Sequence, residues 1–181
     1  MINAWLKQAM IISDSIALFL LCVMAFGTAV NAQKIETSYW NCVIGDTYDH
    51  VLSVLEEQNY GPIVTDDGVF LRDRDLYGID FATIGMKFTS EGLFYNVFGY
   101  NKYTSKKEAN SGFDAALSEI RSKYPNVQPM SKSDNCLRLY AYTDDSRENV
   151  FSLGLYRGSG DTYFVRLNIY SDYLVRKETG R

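Results

Sequence analysis

Apolar and polar positions along residues 43–175 predict a helix followed by strands, and then the same order again. The first helix is expected to begin at Asp46 or Thr47, either of which can cap it, because apolar residues follow at helical spacing. The run Asn-Tyr-Gly-Pro at 59–62 is expected to end this helix, with its glycine available for a left-handed cap. Strands are predicted at residues 63–65, 69–72, 81–89 and 93–103.

The second half of the chain repeats this order. Thr104 or Ser105 can cap a second helix, whose apolar positions share one side and which Pro125 stops. Strands are then predicted at residues 136–143, 149–157 and 162–171. Helices followed by antiparallel hairpins, without an alternating βαβ pattern, predict the α+β class. We expect two tandem helix-plus-antiparallel-sheet units in one domain, with halves at about 43–104 and 105–175.

Residues 1–32 have the pattern of a secretory signal peptide that is cleaved after Ala32. The apolar run at 16–26 is about eleven residues long, the length of a signal h-region, whereas a spanning helix needs roughly 20 apolar residues. An uncleaved membrane anchor is the alternative. We expect the mature protein to be a single domain over residues 33–181, with no membrane span, and to be periplasmic or secreted.

The charge and the cysteine content of the chain limit the expected partners and predict a disulfide. The net charge is −4 and the pI about 5.0, with no basic cluster, so nucleic acid is not an expected partner. The expected mature chain keeps two cysteines, Cys42 and Cys136, and an even pair in an exported protein usually forms a disulfide. We expect that bridge, which would stabilise the fold by about 4–5 kcal/mol in the chain-entropy model. A reactive thiol would need a base, and the only histidine, His50, falls in a predicted helix.

The sequence contains no motif that identifies catalytic or cofactor chemistry. One histidine and two cysteines cannot supply the usual zinc ligand sets. The glycines at 154–160 lead into a hairpin turn rather than a helix, so they do not form a phosphate loop. Acidic residues at 66–67 and 73–75 lack EF-hand spacing, and we interpret them as a solvated turn and edge. We expect no metal and no cofactor. A hydrolase that uses a carboxylate pair is an alternative, because glycoside hydrolysis needs only two acids.

Alternation along the last three predicted strands separates an apolar side from a side rich in Tyr and Arg. The apolar side is expected to pack on the second helix. The other side is expected to carry the candidate binding residues, which are Arg138, Tyr140, Tyr142, Tyr156, Arg166 and Tyr170. Tyr and Arg are enriched in interface hot spots. The alternatives are cross-strand tyrosine pairing on an exposed face, or a face covered by another part of the chain.

The predicted strand at 93–103 has apolar residues in both alternating phases. A strand buried on both sides and a bulge near Gly99 are both consistent with this pattern.

The order of elements resembles a known fold. Two tandem helix-plus-antiparallel-sheet units in a small exported protein are similar to the β-lactamase inhibitor protein fold. The segment Ile-Gly-Asp-Thr-Tyr-Asp-His-Val-Leu at 44–52 resembles the helix-opening turn of outer-membrane assembly lipoproteins of the SmpA/OmlA type. Both resemblances imply protein binding without a catalytic site. We therefore expect a non-catalytic binding or inhibitory module that acts on an envelope protein or glycan, with a purely structural envelope protein as a further alternative.

Overall fold

The computed structural model describes residues 34–131, 135–144 and 146–180. These residues form three helices and two antiparallel sheets, which confirms the predicted α+β class. The predicted signal peptide, residues 1–32, lies outside the described residues. Within the described residues, none of the helices combines the length and the apolar character that crossing a membrane requires.

A small hairpin precedes the first helix. Its strands, β1 (Ser38–Tyr39) and β2 (Cys42–Val43), are joined by Trp40 and Asn41, whose φ values of 50° and 64° fit a type I′ turn. The remaining elements are α1 (Tyr48–Glu57), β3 (Ile63–Thr65), β4 (Gly68–Leu76), β5 (Ile79–Phe88), β6 (Phe94–Tyr103), α2 (Lys106–Lys123), β7 (Gln128–Pro129), β8 (Cys136–Thr143), β9 (Asn149–Arg157), β10 (Tyr163–Ser171) and α3 (Asp172–Thr179). Neither the β1–β2 hairpin nor α3 is among the predicted elements.

The two predicted helices begin at predicted capping residues. The side chains of Thr47 and Ser105 each accept a hydrogen bond from a backbone N–H in the first helical turn. The end of α1 differs from the prediction, because Asn59 takes the left-handed cap position at φ 56°. The N–H of Tyr60 donates to the carbonyl of Leu55 at 3.0 Å, which is the Schellman pattern. Asn tolerates this conformation better than most residues, so the helix ends before the glycine is reached.

Eight strands form one antiparallel sheet in the order β3-β4-β5-β6-β10-β9-β8-β7. The strands β6 and β10 pair at its centre. The observed bounds of β3, β8 and β9 coincide with the predicted ones, whereas β4 continues to Leu76. Asp73, at φ 50°, lies inside β4. Asp66 and Asp67 form the exposed turn between β3 and β4, as interpreted. Residues 73–75 form a locally distorted stretch of β4 that pairs with β5 and lies beyond the end of β3, so this stretch is at the edge of the sheet.

The helices α1 and α2 contribute to one hydrophobic core on one face of this sheet. From α1 come Val51 and Leu55, and from α2 come Phe113 and Ile120, each at most 1% exposed. The sheet contributes rows of directly paired residues, one of which contains Leu71, Ile84, Gly99, Leu167 and Leu153. Each fully buried apolar side chain of this kind contributes about 1.5–3 kcal/mol. This face therefore supplies most of the apolar burial that stabilises the fold.

The expected disulfide between Cys42 and Cys136 is absent from the described residues, where both cysteines are buried thiols. The Sγ of Cys42 lies 3.9 Å from the carbonyl oxygen of Val51, on the helix side. Burial raises the pKa of the Cys42 thiol to about 11. Cys136 instead lies directly across from Tyr156 in the β8–β9 pair, on the other side of the sheet. A disulfide needs Cβ atoms about 4 Å apart, which two residues on opposite faces do not provide.

Candidate binding surface on the open sheet face

We call the sheet face turned away from the shared helical core the open face. Directly paired residues of antiparallel strands point to the same side, so the register assigns this face row by row. Four rows hold most of it: Lys102–Phe164–Tyr156–Cys136, Arg72–Thr83–Tyr100–Arg166–Gly154–Leu139, Phe70–Gly85–Phe98–Asn168–Ser152–Ala141 and Lys87–Asn96–Tyr170–Val150–Thr143. The pair Asp75–Asp80 adds a short row at the end of β4 and β5. The open face is therefore mixed in character, with aromatic and basic residues at its centre.

Two adjoining hollows lie on the open face. The first, of about 410 Å³, is lined by Phe98, Tyr100, Tyr156, Phe164 and Arg166. The second has the same volume of about 410 Å³ and extends over β8 and β9. It is lined by Met130, Leu139, Ala141, Thr143, Val150, Ser152, Tyr156 and Tyr170; Tyr142 also contributes atoms to it, although its ring packs against Tyr124 and Phe151 on the helix side. Tyr156 is common to both hollows and so forms the boundary between them.

Glycines in the strands make room for the aromatic rings of this face. A Cβ atom at Gly85 would collide with the ring of Phe98 and would come within 2.9 Å of the ring of Phe70. Those two rings pack edge to face with their centroids 6.1 Å apart. A Cβ atom at Gly154 would likewise collide with the ring of Tyr156. The rings therefore lie flat along the strands instead of standing upright, which shapes the first hollow.

Arg166 is the charged group of the first hollow. Its guanidinium carbon lies 4.3 Å from the ring centroid of Phe98, at cation–π distance. Its Nε is buried and has no hydrogen-bond partner among the described residues. Burial lowers the pKa of Arg166, and the hydroxyls of Tyr156 and Tyr100 partly oppose that shift. Arginine remains charged at neutral pH despite such a shift, so a partly desolvated cation faces the hollow.

The six candidate binding residues do not share one face. Tyr156, Arg166 and Tyr170 lie on the open face. The other three lie on the helix side, because each pairs with a buried core residue of β9: Arg138 with Leu155, Tyr140 with Leu153, and Tyr142 with Phe151. From Arg138 onward the alternation along β8 is thus inverted relative to the sequence interpretation, because the register shifts between Cys136 and Arg138, while Leu137 packs against the core as expected.

Contacts with α2 explain the inverted alternation of β8. Arg138 stacks 4.2 Å from the ring centroid of Phe113 and forms a 2.6 Å ion pair with Asp114. The ring of Tyr140 lies 6.0 Å from that of Phe113. From a strand near the sheet end, long amphipathic side chains can reach over to cover α2 while their polar tips stay in water. The shorter side chain of Leu139 faces the second hollow instead.

Three residues of the first hollow, Phe98, Tyr100 and Phe164, are not among the candidates from sequence. The signal for two of them is the double apolar phase of β6. The structure shows burial on both sides of that strand, with Val97 0% and Phe98 6% exposed. The register shift falls at the end of β5 and not near Gly99. A strand that is apolar in both phases indicates apolar cover on both sides, and here rings supply it on the open face.

No family model matches this chain, and neither a curated protein nor a solved structure matches it. The functional conclusion therefore rests on the residues of the open face and their geometry.

Proposed function

We propose that this chain is an exported, non-catalytic binding or inhibitory module that presents its open face to a protein or glycan of the cell envelope. The observation that carries the proposal is the first hollow, where four aromatic side chains surround the cation of Arg166. Aromatic residues and Arg dominate interface hot spots because they combine contact area with a polar tip. Rings already packed against one another also lose little rotamer freedom when a partner binds.

We further propose that the sheet is built from two tandem units, at about 43–104 and 105–175. The strand order supports this, because each half contributes four adjacent strands and the last strands of the halves, β6 and β10, meet at the centre. The same arrangement underlies the resemblance to the β-lactamase inhibitor protein fold, which implies protein binding. A sheet doubled in this way offers one wide face to a partner.

The proposed location is the periplasm or the extracellular space. The support is the pattern of residues 1–32, which is typical of a signal peptide. Both thiols, Cys42 and Cys136, are buried. Burial restricts access of oxidants to sulfur, so an oxidising compartment is compatible with two cysteines that are not bridged.

Two observations favour binding over the rival functions. A hydrolase with a carboxylate pair needs two acids that converge on a cleft, and among the described residues no Asp or Glu lines either hollow of the open face. Glu91 and Glu178 line a smaller hollow of about 110 Å³ beside α3, where they bind Lys177 and Ser90. A purely structural role predicts a covered face, whereas Tyr156, Phe164 and Arg166 are each only partly buried in the described part of the chain. Partly exposed rings around a charge are typical of a surface that awaits a partner.

Affinity capture from cell-envelope extract tests the proposal. The bait proteins are the wild type, the open-face double variant Tyr156→Ala/Tyr170→Ala, and the control Tyr173→Ala on α3, which is 65% exposed and lies away from the two hollows. We expect wild type and Tyr173→Ala to retain the same partner and the double variant to lose it. Thermal melts of all baits establish that the variants are folded.

Two outcomes would contradict the proposal. The first is a partner that a folded double variant retains as well as the wild type does, because the open face would then not be the binding surface. The second is the absence of any partner on the wild-type bait together with hydrolytic activity toward envelope glycan or peptide, which would support the enzyme alternative.

A further inference from the structure

The part of the open face around the two hollows is basic although the whole protein is acidic. The chain has 22 Asp and Glu residues against 18 Lys and Arg residues. The four rows that hold the two hollows nevertheless contain no Asp or Glu, within the part of the chain that the structure describes, and contain the cations Arg72, Lys87, Lys102 and Arg166. The exposed pair Asp75–Asp80 lies on the same face at the far end of β4 and β5, and neither residue lines a hollow. A face that departs in sign from the rest of the molecule is complementary to a partner of negative charge.

Arg166 differs from Arg138, another partly buried arginine of the sheet. Arg74 of β4 also lacks an ion pair among the described residues, but it stacks on the ring of Tyr60 and lines neither hollow. Arg138 has both a ring beneath it and a carboxylate, that of Asp114, at 2.6 Å. Arg166 has the ring of Phe98 at 4.3 Å, but none of the ion pairs formed among residues 34–131, 135–144 and 146–180 includes it. Holding a partly desolvated cation without a counter-ion is unfavourable, and a bound carboxylate would remove that cost.

The first hollow, beside Arg166, favours a ligand with an apolar part as well as a negative charge. Phe98, Tyr100, Tyr156 and Phe164 line the same hollow of about 410 Å³, so most of its wall is aromatic. Such a wall suits an apolar side chain that leaves water on binding. A polyanionic glycan or nucleic acid would instead need a continuous track of exposed cations. The central row carries its two arginines, Arg72 and Arg166, with Thr83 and Tyr100 between them.

We propose that the first hollow binds an acidic segment of a protein partner, with an Asp or Glu carboxylate on Arg166 and an adjacent apolar side chain against the rings. This inference rests on the proposed binding function and specifies the chemistry of its partner. The guanidinium group can donate two parallel hydrogen bonds to a carboxylate, which fixes the orientation of the bound group and also attracts it. Lys102 lies in the same row as Phe164 and Tyr156, and Lys87 lies one row beyond Phe98. Both add attraction for acidic residues farther along the segment.

Nuclear magnetic resonance of the ¹⁵N-labelled protein tests this inference with two matched dipeptides. The probes are N-acetyl-Phe-Glu-amide and its neutral twin N-acetyl-Phe-Gln-amide. We expect the Glu probe to shift the Arg166 Nε–H resonance saturably and to bind at least about fivefold more tightly than the Gln probe, because its hydrogen bonds are charge-assisted. Equal affinity of the two probes, or no shift at Arg166 with either, would overturn the inference.

Substitutions of Arg166 and Arg138 test which arginine causes the preference for the Glu probe over the Gln probe. Arg166→Gln is expected to abolish the preference for the Glu probe, and Arg166→Lys to reduce it because the fork is lost. The matched control Arg138→Gln, on the helix side, is expected to leave the preference unchanged. A heparin-derived oligosaccharide that shifts the same resonance more strongly than the Glu probe would overturn the inference in favour of a glycan.

Failure of this inference is distinguishable from failure of the proposed function. If envelope capture depends on Tyr156 and Tyr170 but the two dipeptides bind alike, the open face binds a partner and only the acidic chemistry is wrong. If capture does not depend on those tyrosines, the proposed binding surface itself is wrong.

Discussion

The two faces of the sheet are made by the same strands, yet they differ in what they do. Along the central strands, apolar side chains that face the helices are fully buried, while the adjacent residue in the chain faces the open side: Leu71 precedes Arg72, Ile84 follows Thr83, and Leu167 follows Arg166. The helix face stabilises the fold because its apolar side chains leave water entirely. The open face keeps partly exposed rings and charges, so it can change with less effect on stability.

The two faces also differ in whether the chain supplies an arginine with an ion-pair partner. On the helix side the chain itself supplies Asp114 as a partner for Arg138. On the open face the chain supplies Arg166 with a ring but with no ion-pair partner among the described residues. A group left unsatisfied in the free protein is typical of a functional site, because such sites trade stability for binding.

The largest expected effect comes from removing one phenylalanine on each face. Phe151→Ala, on the helix side of β9 and 1% exposed, is expected to lower the free energy of unfolding by about 3–5 kcal/mol. Phe164→Ala, on the open face of the neighbouring β10, is expected to cost only about 1 kcal/mol, because its ring is partly exposed already. Urea unfolding of both variants measures the difference. Equal losses would show that the open face is part of the core.

Glycine substitutions give a second, smaller contrast between the faces. A Cβ atom at Gly99 would collide with the ring of Phe81, which is 1% exposed and enclosed by the core. Gly99→Ala is therefore expected to cost about 1–3 kcal/mol through overpacking. Gly85→Ala is expected to cost less, since the ring of Phe98 lines the first hollow and has free space on that side. Thermal melts compare the two variants, and a larger loss for Gly85→Ala would contradict the assignment of the faces.

The smallest effect, but the most diagnostic one, is expected for the two arginines. Arg138→Met loses an ion pair with Asp114 and is expected to destabilise the protein by about 0.2–1 kcal/mol. Arg166→Met places an apolar side chain among rings, and stability is expected to stay unchanged or to rise. Unfolding at low and at 0.5 M salt measures both, with salt weakening only the Arg138 contribution. A clear destabilisation by Arg166→Met would indicate a structural rather than a binding role.

Several elements follow from local signals and were therefore predictable. The capping side chains of Thr47 and Ser105 stand directly before helical patterns, so α1 and α2 could be located from the residues alone. The bounds of β3, β8 and β9 coincide with the predicted runs of strand-forming residues. The short helix α3 was missed, although Ser171 caps it and Gly180, at φ 66°, ends it. Its eight residues directly follow a strong strand pattern that obscured the start.

The candidate surface was only half predictable. Tyr156, Arg166 and Tyr170 lie on the open face as expected, because the strands β9 and β10 have clean alternation. The phase of β8 was not predictable, because a register shift between Cys136 and Arg138 reverses it. Leu137 therefore packs against the core while Leu139 lines the second hollow. The cysteine pair was not predictable either, because an even count in sequence carries no information on distance.

The sequence by itself determined the α+β class, the two main helices and most strand positions, because capping, periodicity and turn chemistry act over a few neighbouring residues. Only the tertiary structure decided which side of each strand meets α2, that Cys42 and Cys136 are on opposite faces, and that rings from β6, β9 and β10 gather around Arg166. These features depend on register between strands far apart in the chain. A shift of one residue in that register moves every side chain of a strand to the other face.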